Sequence, residues 1–317
     1  MLKKLEIING KLVENNNKKA DIYIYTNPDK DELDCLIKKY KIDEHTLSSA
    51  LDPDENGRLE FEPDHAALIL KRPKNYSSYD NFIFKVLSIG IFLYKDKVII
   101  IIPEDIQILE GKQSSKTVNI IDVFLRLLHG TITHFLGHLK VINMISDNIE
   151  QKINTSMENK YLLQMFSLEK SLVYYLNGIN SNVMLFEKIK MNSNKLGLSK
   201  DNMEILEDII IENNQCRTQA EIYSNILTGL MDARGSIVNN NLNILIKRLT
   251  IINIVFMPLN LIAGIGGMSE FSMMTKNISW IISYTFFSLG LVIIAFGTYF
   301  IVKRIGQEKR IKVKKPN

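Results

Sequence analysis

Cysteine is nearly absent from this chain of 317 residues. Cys35 and Cys216 are its two thiols, and they lie far apart. No disulfide framework and no cysteine-based zinc site can be assembled from them, and their scarcity suits a reducing compartment. An excess of one charge is also missing. The 39 Lys and Arg stand against 35 Asp and Glu, and a net charge of +4 provides no nucleic-acid surface by itself. There is no Walker-type phosphate loop, no nucleophile motif and no carboxylate pair arranged for acid–base work. An enzyme reading therefore has no residues to stand on. The opening MLKKLEIINGKLVE becomes polar within a few residues and does not read as a signal peptide.

What the sequence does have is two apolar runs close to its end, Leu249–Gly267 and Ile278–Val302. A spanning helix needs about 20 mostly apolar residues. Both runs meet that length, and no third run is expected to. The chain reads as a large N-terminal region fixed to a two-helix membrane hairpin. Lys247 and Arg248 precede the first run. Lys303, Arg304, Lys309, Arg310, Lys312, Lys314 and Lys315 follow the second, whereas the connection holds only Lys276 and Glu270. The positive-inside rule then places both termini in the cytoplasm. The expected location is the cell (inner or plasma) membrane, multi-pass, with the basic tail also touching lipid headgroups.

The fold class expected is an α/β cytoplasmic domain followed by long helices and two C-terminal transmembrane helices. In residues 1–115, LKKLEII, the Asn9-Gly10 turn and ADIYIYT suggest strands. Asp29–Tyr40 suggests a helix with Leu33, Leu36 and Ile37 on one face. RLEFE, AALILKR, FKVLSIGIFLY and KVIII suggest further strands, the last ended by Pro103. Residues 116–198 read as a helical layer, with helices over Ile120–Asn154 and Tyr161–Lys190. Gly197 and Ser199 mark a break, and Asp201 with Glu204 has capping-box spacing. From there one stalk helix is expected to run on through residues 199–267, about 100 Å at 1.5 Å per residue. Such a helix needs partners, and identical copies are the economical ones. Residues 268–277 are expected to be an external loop, 278–302 the second span and 303–317 a basic cytoplasmic tail.

The first span carries a polar stripe. Asn243, Ile246, Thr250, Asn253, Met257, Asn260, Gly264 and Gly267 follow at steps of three and four and share one helix face. Three asparagines facing lipid would be costly. Against neighbouring helices they act as glue. Around an axis, several copies would instead make a narrow wet channel whose amide oxygens hydrogen-bond the waters of a hydrated cation. Pro258 removes one backbone hydrogen bond, which membrane bundles tolerate.

The segment MDARGSIVNNNLNILIKRLTIINIVFMPLNLIAGIGGMSEF resembles the end of the pore helix in the CorA family of divalent-cation (magnesium) channels. The resemblance lies in IVFMPLNLIAGI, closed by Gly267-Met268, and in the NNNLN stretch upstream. It implies a funnel-shaped homopentamer with the first span lining the pore and the second forming an outer ring. It also implies passive uptake of Mg²⁺, with Co²⁺ or Ni²⁺ as further ions, and no organic cofactor or nucleic acid. The family signature Gly-Met-Asn is here Gly267-Met268-Ser269. In the family the Asn forms an amide ring at the mouth. Ser has a shorter reach, and Glu270 beside it would add an acidic ring that attracts cations with less discrimination.

The zinc-transporting ZntB branch shares the fold and varies the same motif, so a ZntB-like zinc transporter is the alternative within transport. A non-conducting membrane scaffold or metal sensor is the alternative outside it. The resemblance further implies regulatory Mg²⁺ between subunits. Asp208 and Asp232 fall where its ligands are expected, with Asp80 as the partner from the α/β domain; solvated stalk charges are the plainer reading. His134 and His138, four apart on a helix, have zinc-compatible spacing but no Cys or Glu to complete a site. Met268, Met273 and Met274 read as packing residues.

Overall fold

The structure, a computed structural model, describes residues 1–15, 20–76, 82–105, 119–155 and 159–312. Its strands are β1 (Leu2–Ile8), β2 (Lys11–Glu14), β3 (Ile22–Thr26), β4 (Arg58–Phe61), β5 (Ala66–Pro73), β6 (Val86–Leu93) and β7 (Val98–Ile102). The helices are α1 (Lys30–Tyr40), α2 (Glu44–Leu51), α3 (Ile120–Thr155), α4 (Asn159–Met191), α5 (Ser193–Leu196), α6 (Lys200–Gly266), α7 (Ser269–Met274) and α8 (Trp280–Lys312). Two compact units result, Met1–Met231 and Asp232–Asn317, and their boundary falls inside α6.

In the first unit the strands form one sheet ordered β2-β1-β3-β7-β6-β5-β4. The Asn9-Gly10 turn, with φ of 51° and 78°, closes the β1–β2 hairpin. β2 is a short edge strand that the sequence reading missed. β3 and β7 pair in parallel, Ile22 opposite Val98 through Thr26 opposite Ile102, and the remaining pairs are antiparallel. Alternation along the strands divides the interior. Ile22, Ile24, Leu68, Leu70, Ile91 and Ile100 join the core with α3, α4 and the first part of α6. Tyr23, Tyr25, Ala67, Phe92, Ile99 and Ile101 join the core with α1. The all-aliphatic β7, VIIII, is buried on both faces because helices cover both.

Caps fix the helix starts. Asp29 accepts from the Glu32 amide in a full capping box at α1, and Asp43 accepts from the Thr46 amide at α2. The cap of α6 differs from the one expected. Ser199 Oγ accepts from the Asn202 amide at 3.1 Å, and Asn202 Oδ1 accepts from the Ser199 amide at 3.2 Å. Asp201 sits in the first turn instead, where its charge meets the positive end of the helix dipole. As expected, α6 is a single helix, of 67 residues, with Pro258 inside it. Leu206, Ile209, Cys216, Ala220 and Leu227 bury its early turns, and Lys190 meets Glu207 at 2.8 Å across α4 and α6.

Two further expectations are corrected. Three helices among the described residues, not two, are long and apolar enough to cross a membrane: Ile120–Lys152, Lys200–Gly266 and Trp280–Val302. The buried share of their apolar windows separates them, at 44%, 6% and 0%. The first owes its apolarity to the core beneath the sheet. The segment 268–277 also holds a helix, α7, rather than loop throughout.

Candidate functional site

In the second unit, Asn243, Ile246, Thr250, Asn253, Met257, Asn260 and Gly264 all lie on α6 and are all exposed. Exposure alone separates nothing here, because most side chains of this unit are exposed. The covered positions are more informative. Ile251, Val255, Pro258, Leu259 and Ile262 are partly covered and Gly266 is buried. At about 100° per residue this second set lies about half a turn from the stripe. On α8, Ser283, Phe287, Gly290, Leu291, Ile294 and Thr298 are partly covered at helical spacing too. The apolar side of α6 is thus the side covered within the chain, and the amide-bearing side is left open. Thr250 donates its hydroxyl proton to the Ile246 carbonyl at 2.8 Å, so its own oxygen keeps acceptor lone pairs.

The stripe ends at a tight junction. α6 stops at Gly266, Met268 is extended (φ −79°, ψ 150°), and α7 begins at Ser269. Gly267, Met268, Ser269 and Glu270 are exposed. Ser269 donates to Glu270 Oε2 at 3.2 Å. A carboxylate has about four acceptor positions, so this bond leaves most of them open. The junction is backed by rings. Phe271 packs at a tilt against Phe287 (5.2 Å) and edge-on against Tyr284 (6.0 Å), and a Cβ on Gly266 would lie 2.4 Å from the Phe287 ring. The sequence reading missed these aromatics. Only Gly266 signalled them, as a place where something approaches the helix closely.

The regulatory candidates are less assembled. Asp208 and Asp232 are exposed on α6, and Asp80 lies outside the described residues. No group of three or more His, Cys, Asp or Glu is placed to hold a metal among the described residues. Mg²⁺ keeps most of its waters and needs one or two carboxylates, so a site shared between copies asks for no such group within one chain.

His134 and His138 are half-buried on α3. Their Nε2 atoms are 3.1 Å apart, and His138 Nδ1 is 2.6 Å from the Tyr175 hydroxyl. Burial pushes both rings down, to about 3 and about 4, and the charge of Arg72 adds to the effect. Burial also lowers Arg72, to about 10, which leaves it charged at neutral pH. The pair is a packed polar cluster, and no third metal ligand joins it among the described residues.

Residues 17–304 match the family described as CorA-like Mg²⁺ transporter protein. The chain is 25% identical over 253 residues to the cobalt/magnesium transport protein CorA of Methanocaldococcus jannaschii, covering 76% of this chain and 77% of that one. It is 31% identical over 107 residues to the protein of the same name from Thermotoga maritima, covering 34% and 30%. The complete structure of the CorA magnesium transporter from Methanocaldococcus jannaschii superposes with a TM-score of 0.78 at 20% identity, over 96% of each chain. That superposition carries the fold across both units, and the family match spans the α6 stripe and the mouth segment alike. The chain therefore belongs to the CorA family, whose members are membrane transporters of divalent metal ions and not enzymes.

Proposed function

We propose that this chain assembles as a homopentameric channel that passes Mg²⁺ across the cell membrane, with Co²⁺ and Ni²⁺ as further ions. The end of α6 and α8 are its two spans. The observation that carries this reading is the division of α6 into a face covered within the chain and an open face with three asparagines. In lipid, open amides need partners. Five copies around an axis supply them by facing the amides toward water and one another. Asn243, Asn253 and Asn260 then hydrogen-bond the hydration shell of the ion, so the Mg²⁺ keeps its waters, which it sheds reluctantly. Membrane potential drives the ion inward, at about 2.3 kcal/mol per charge per 100 mV. The α/β domain and helical layer lie in the cytoplasm, with both termini. Cytoplasmic Mg²⁺ at Asp232 and Asp208 offsets repulsion between carboxylates of adjacent copies and favours the closed state.

Purified protein in liposomes tests this directly. Tracer flux should follow Mg²⁺, and native mass spectrometry should find five copies. Cysteines at 243, 250, 257 and 260 should react with small aqueous thiol reagents, while those at 251, 252 and 255 should be protected. A stable monomer or dimer, or equal labelling of the two sets, would refute the pore. The Ser269-Glu270 departure favours one second reading, a ZntB-like zinc transporter. Zn²⁺ flux exceeding Mg²⁺ flux in the same liposomes would select it. Absence of any flux would select a scaffold or sensor.

A further inference from the structure

We infer that Phe287, on α8, is a positioning residue for the mouth and helps set its ion preference without meeting the ion. This rests on the channel reading above.

The mouth segment Gly267–Glu270 is held at both ends by the same ring. On its N-terminal side, Gly266 is buried with the end of that ring pointed at it. An added Cβ would lie 2.4 Å from Phe287 Cζ and 2.9 and 3.0 Å from its two Cε atoms, closer than real Cβ contacts come. On its C-terminal side, Phe271 packs on Phe287 with centroids 5.2 Å apart, and Tyr284, one turn earlier on α8, meets Phe271 edge-on. Four residues therefore bridge two fixed points. Met268 makes the turn in extended conformation, its carbonyl accepting from the Phe271 amide at 3.2 Å. Little slack is left in the backbone that carries Ser269 and Glu270.

In a membrane, apolar side chains gain nothing from leaving water, so close packing supplies the helix contact. Removing one ring there removes both supports. The mouth groups act on a hydrated ion through several waters at once, and that is sensitive to small displacements. A preference for one ion over another is a difference of two affinities. It is lost when donors and acceptors move, even if ions still pass.

The geometry makes the size requirement specific. A longer side chain at 287 has no room, because the ring already touches Gly266 at Cζ. Phe287→Tyr would drive a hydroxyl into the backbone, and Gly266→Ala would push the ring outward. Phe287→Leu combined with Gly266→Ala exchanges volume across the same contact.

The full chain in liposomes tests this by two readouts. The first is the labelling rate of a cysteine at position 270 by a charged thiol reagent, in a background with Cys35→Ser and Cys216→Ala. Phe287→Ala and Gly266→Ala should each change that rate by about threefold or more, and the Gly266→Ala/Phe287→Leu pair should return it toward the starting value. The second is the Mg²⁺-to-Ca²⁺ flux ratio at low concentration. It should fall about three- to tenfold in each single variant, with maximal Mg²⁺ flux changed less, and recover in the pair. A merely structural role would lower maximal flux and assembly together and leave the ratio alone. Unchanged labelling in both single variants, or a paired variant worse than either, overturns the proposal. If the parent passes no divalent cation, the channel reading fails, and labelling alone decides whether the ring holds the segment.

Discussion

His134 and His138 share a hydrogen bond between their Nε2 atoms at 3.1 Å, one turn apart on α3. One ring must donate and the other accept, so at least one is neutral. Arg72 on β5 and Tyr175 on α4 face the pair, and burial and the Arg72 charge hold both rings low. In the unfolded chain the two titrate near 6.5. Folded, they titrate at about 3 and about 4. Between those values the unfolded chain binds more protons, so stability is complete above about pH 6.5 and falls as pH drops below it. Discounted for partial exposure, the loss should reach about 2 kcal/mol by pH 5. Thermal melts followed by circular dichroism at pH 7.5 and pH 5 measure it. His134→Gln with His138→Gln should flatten the slope, and an unaltered slope would move the proton uptake elsewhere.

Asn182 explains how α4 attaches to the sheet. β4 pairs with β5 only as far as Arg58 opposite Ile69. Beyond it, Asn182 takes the place of a strand. Its Oδ1 accepts from the Lys71 amide at 2.9 Å, and its Nδ2 donates to the Lys71 carbonyl at 2.7 Å. Asn182 is fully buried. Asn182→Ala leaves two buried backbone groups unpaired and should cost about 2–4 kcal/mol. Asn182→Asp removes the donor and sets an oxygen against the Lys71 carbonyl, so it should not rescue. Urea titration of the two variants checks both statements.

How much of this was legible depended on whether the cause was local. Strands such as KVIII and helix α1 with its Asp29 cap announce themselves through pattern and chemistry within a few residues. The α6 stripe was readable for the same reason, since steps of three and four place Asn253, Met257 and Asn260 on one face. Strand β2 was hidden because KLVE is short and mostly exposed. Helix α2 was hidden because residues 46–51 mix small, polar and apolar side chains, so that only the Asp43 cap marks it. At the start of α6 the spacing of Asp201 and Glu204 suggests a cap, but the cap that forms joins Ser199 and Asn202. No third span is expected from the sequence, whereas α3 is long and apolar enough to qualify, because the core beneath the sheet requires that apolar content. The contact between Gly266 and Phe287 joins two helices, and no local pattern records which ring meets which glycine.

The gating by cytoplasmic Mg²⁺ proposed above gives a third prediction. Asp232→Asn with Asp208→Asn removes the charges that a bound cation would neutralise between copies. A ligand that binds the closed form alone stabilises it in proportion to the logarithm of its concentration over its dissociation constant. The Mg²⁺ concentration giving half-maximal protection from proteolysis should therefore rise about tenfold or more in the double variant. Asp232→Asn alone should carry the larger part. Protection that is unchanged would place the sensor on other residues.

At the mouth, Ser269 and Glu270 should divide attraction from discrimination. On the channel reading, five copies place five carboxylates and five hydroxyls around one opening. The carboxylates concentrate cations through a field that salt screens within about 8 Å at physiological ionic strength. The hydroxyls contribute dipoles only, and each already donates its proton to the adjacent Glu270 at 3.2 Å. Glu270→Gln should reduce flux at low Mg²⁺ more than Ser269→Ala does, with the difference shrinking as ionic strength rises. Ser269→Asn places an amide at the mouth, as in the Gly-Met-Asn signature that the resemblance implies. An amide offers both a carbonyl acceptor and an N–H₂ donor, so it can hold ordered water around a small, strongly hydrated ion. That variant should raise the preference for Mg²⁺ over Ca²⁺. Flux measured against concentration at two salt strengths separates the two effects. If Glu270→Gln leaves low-Mg²⁺ flux intact and Ser269→Asn leaves the ion order unaltered, selection occurs deeper along the stripe, with Asn260 the next amide that an entering ion would meet.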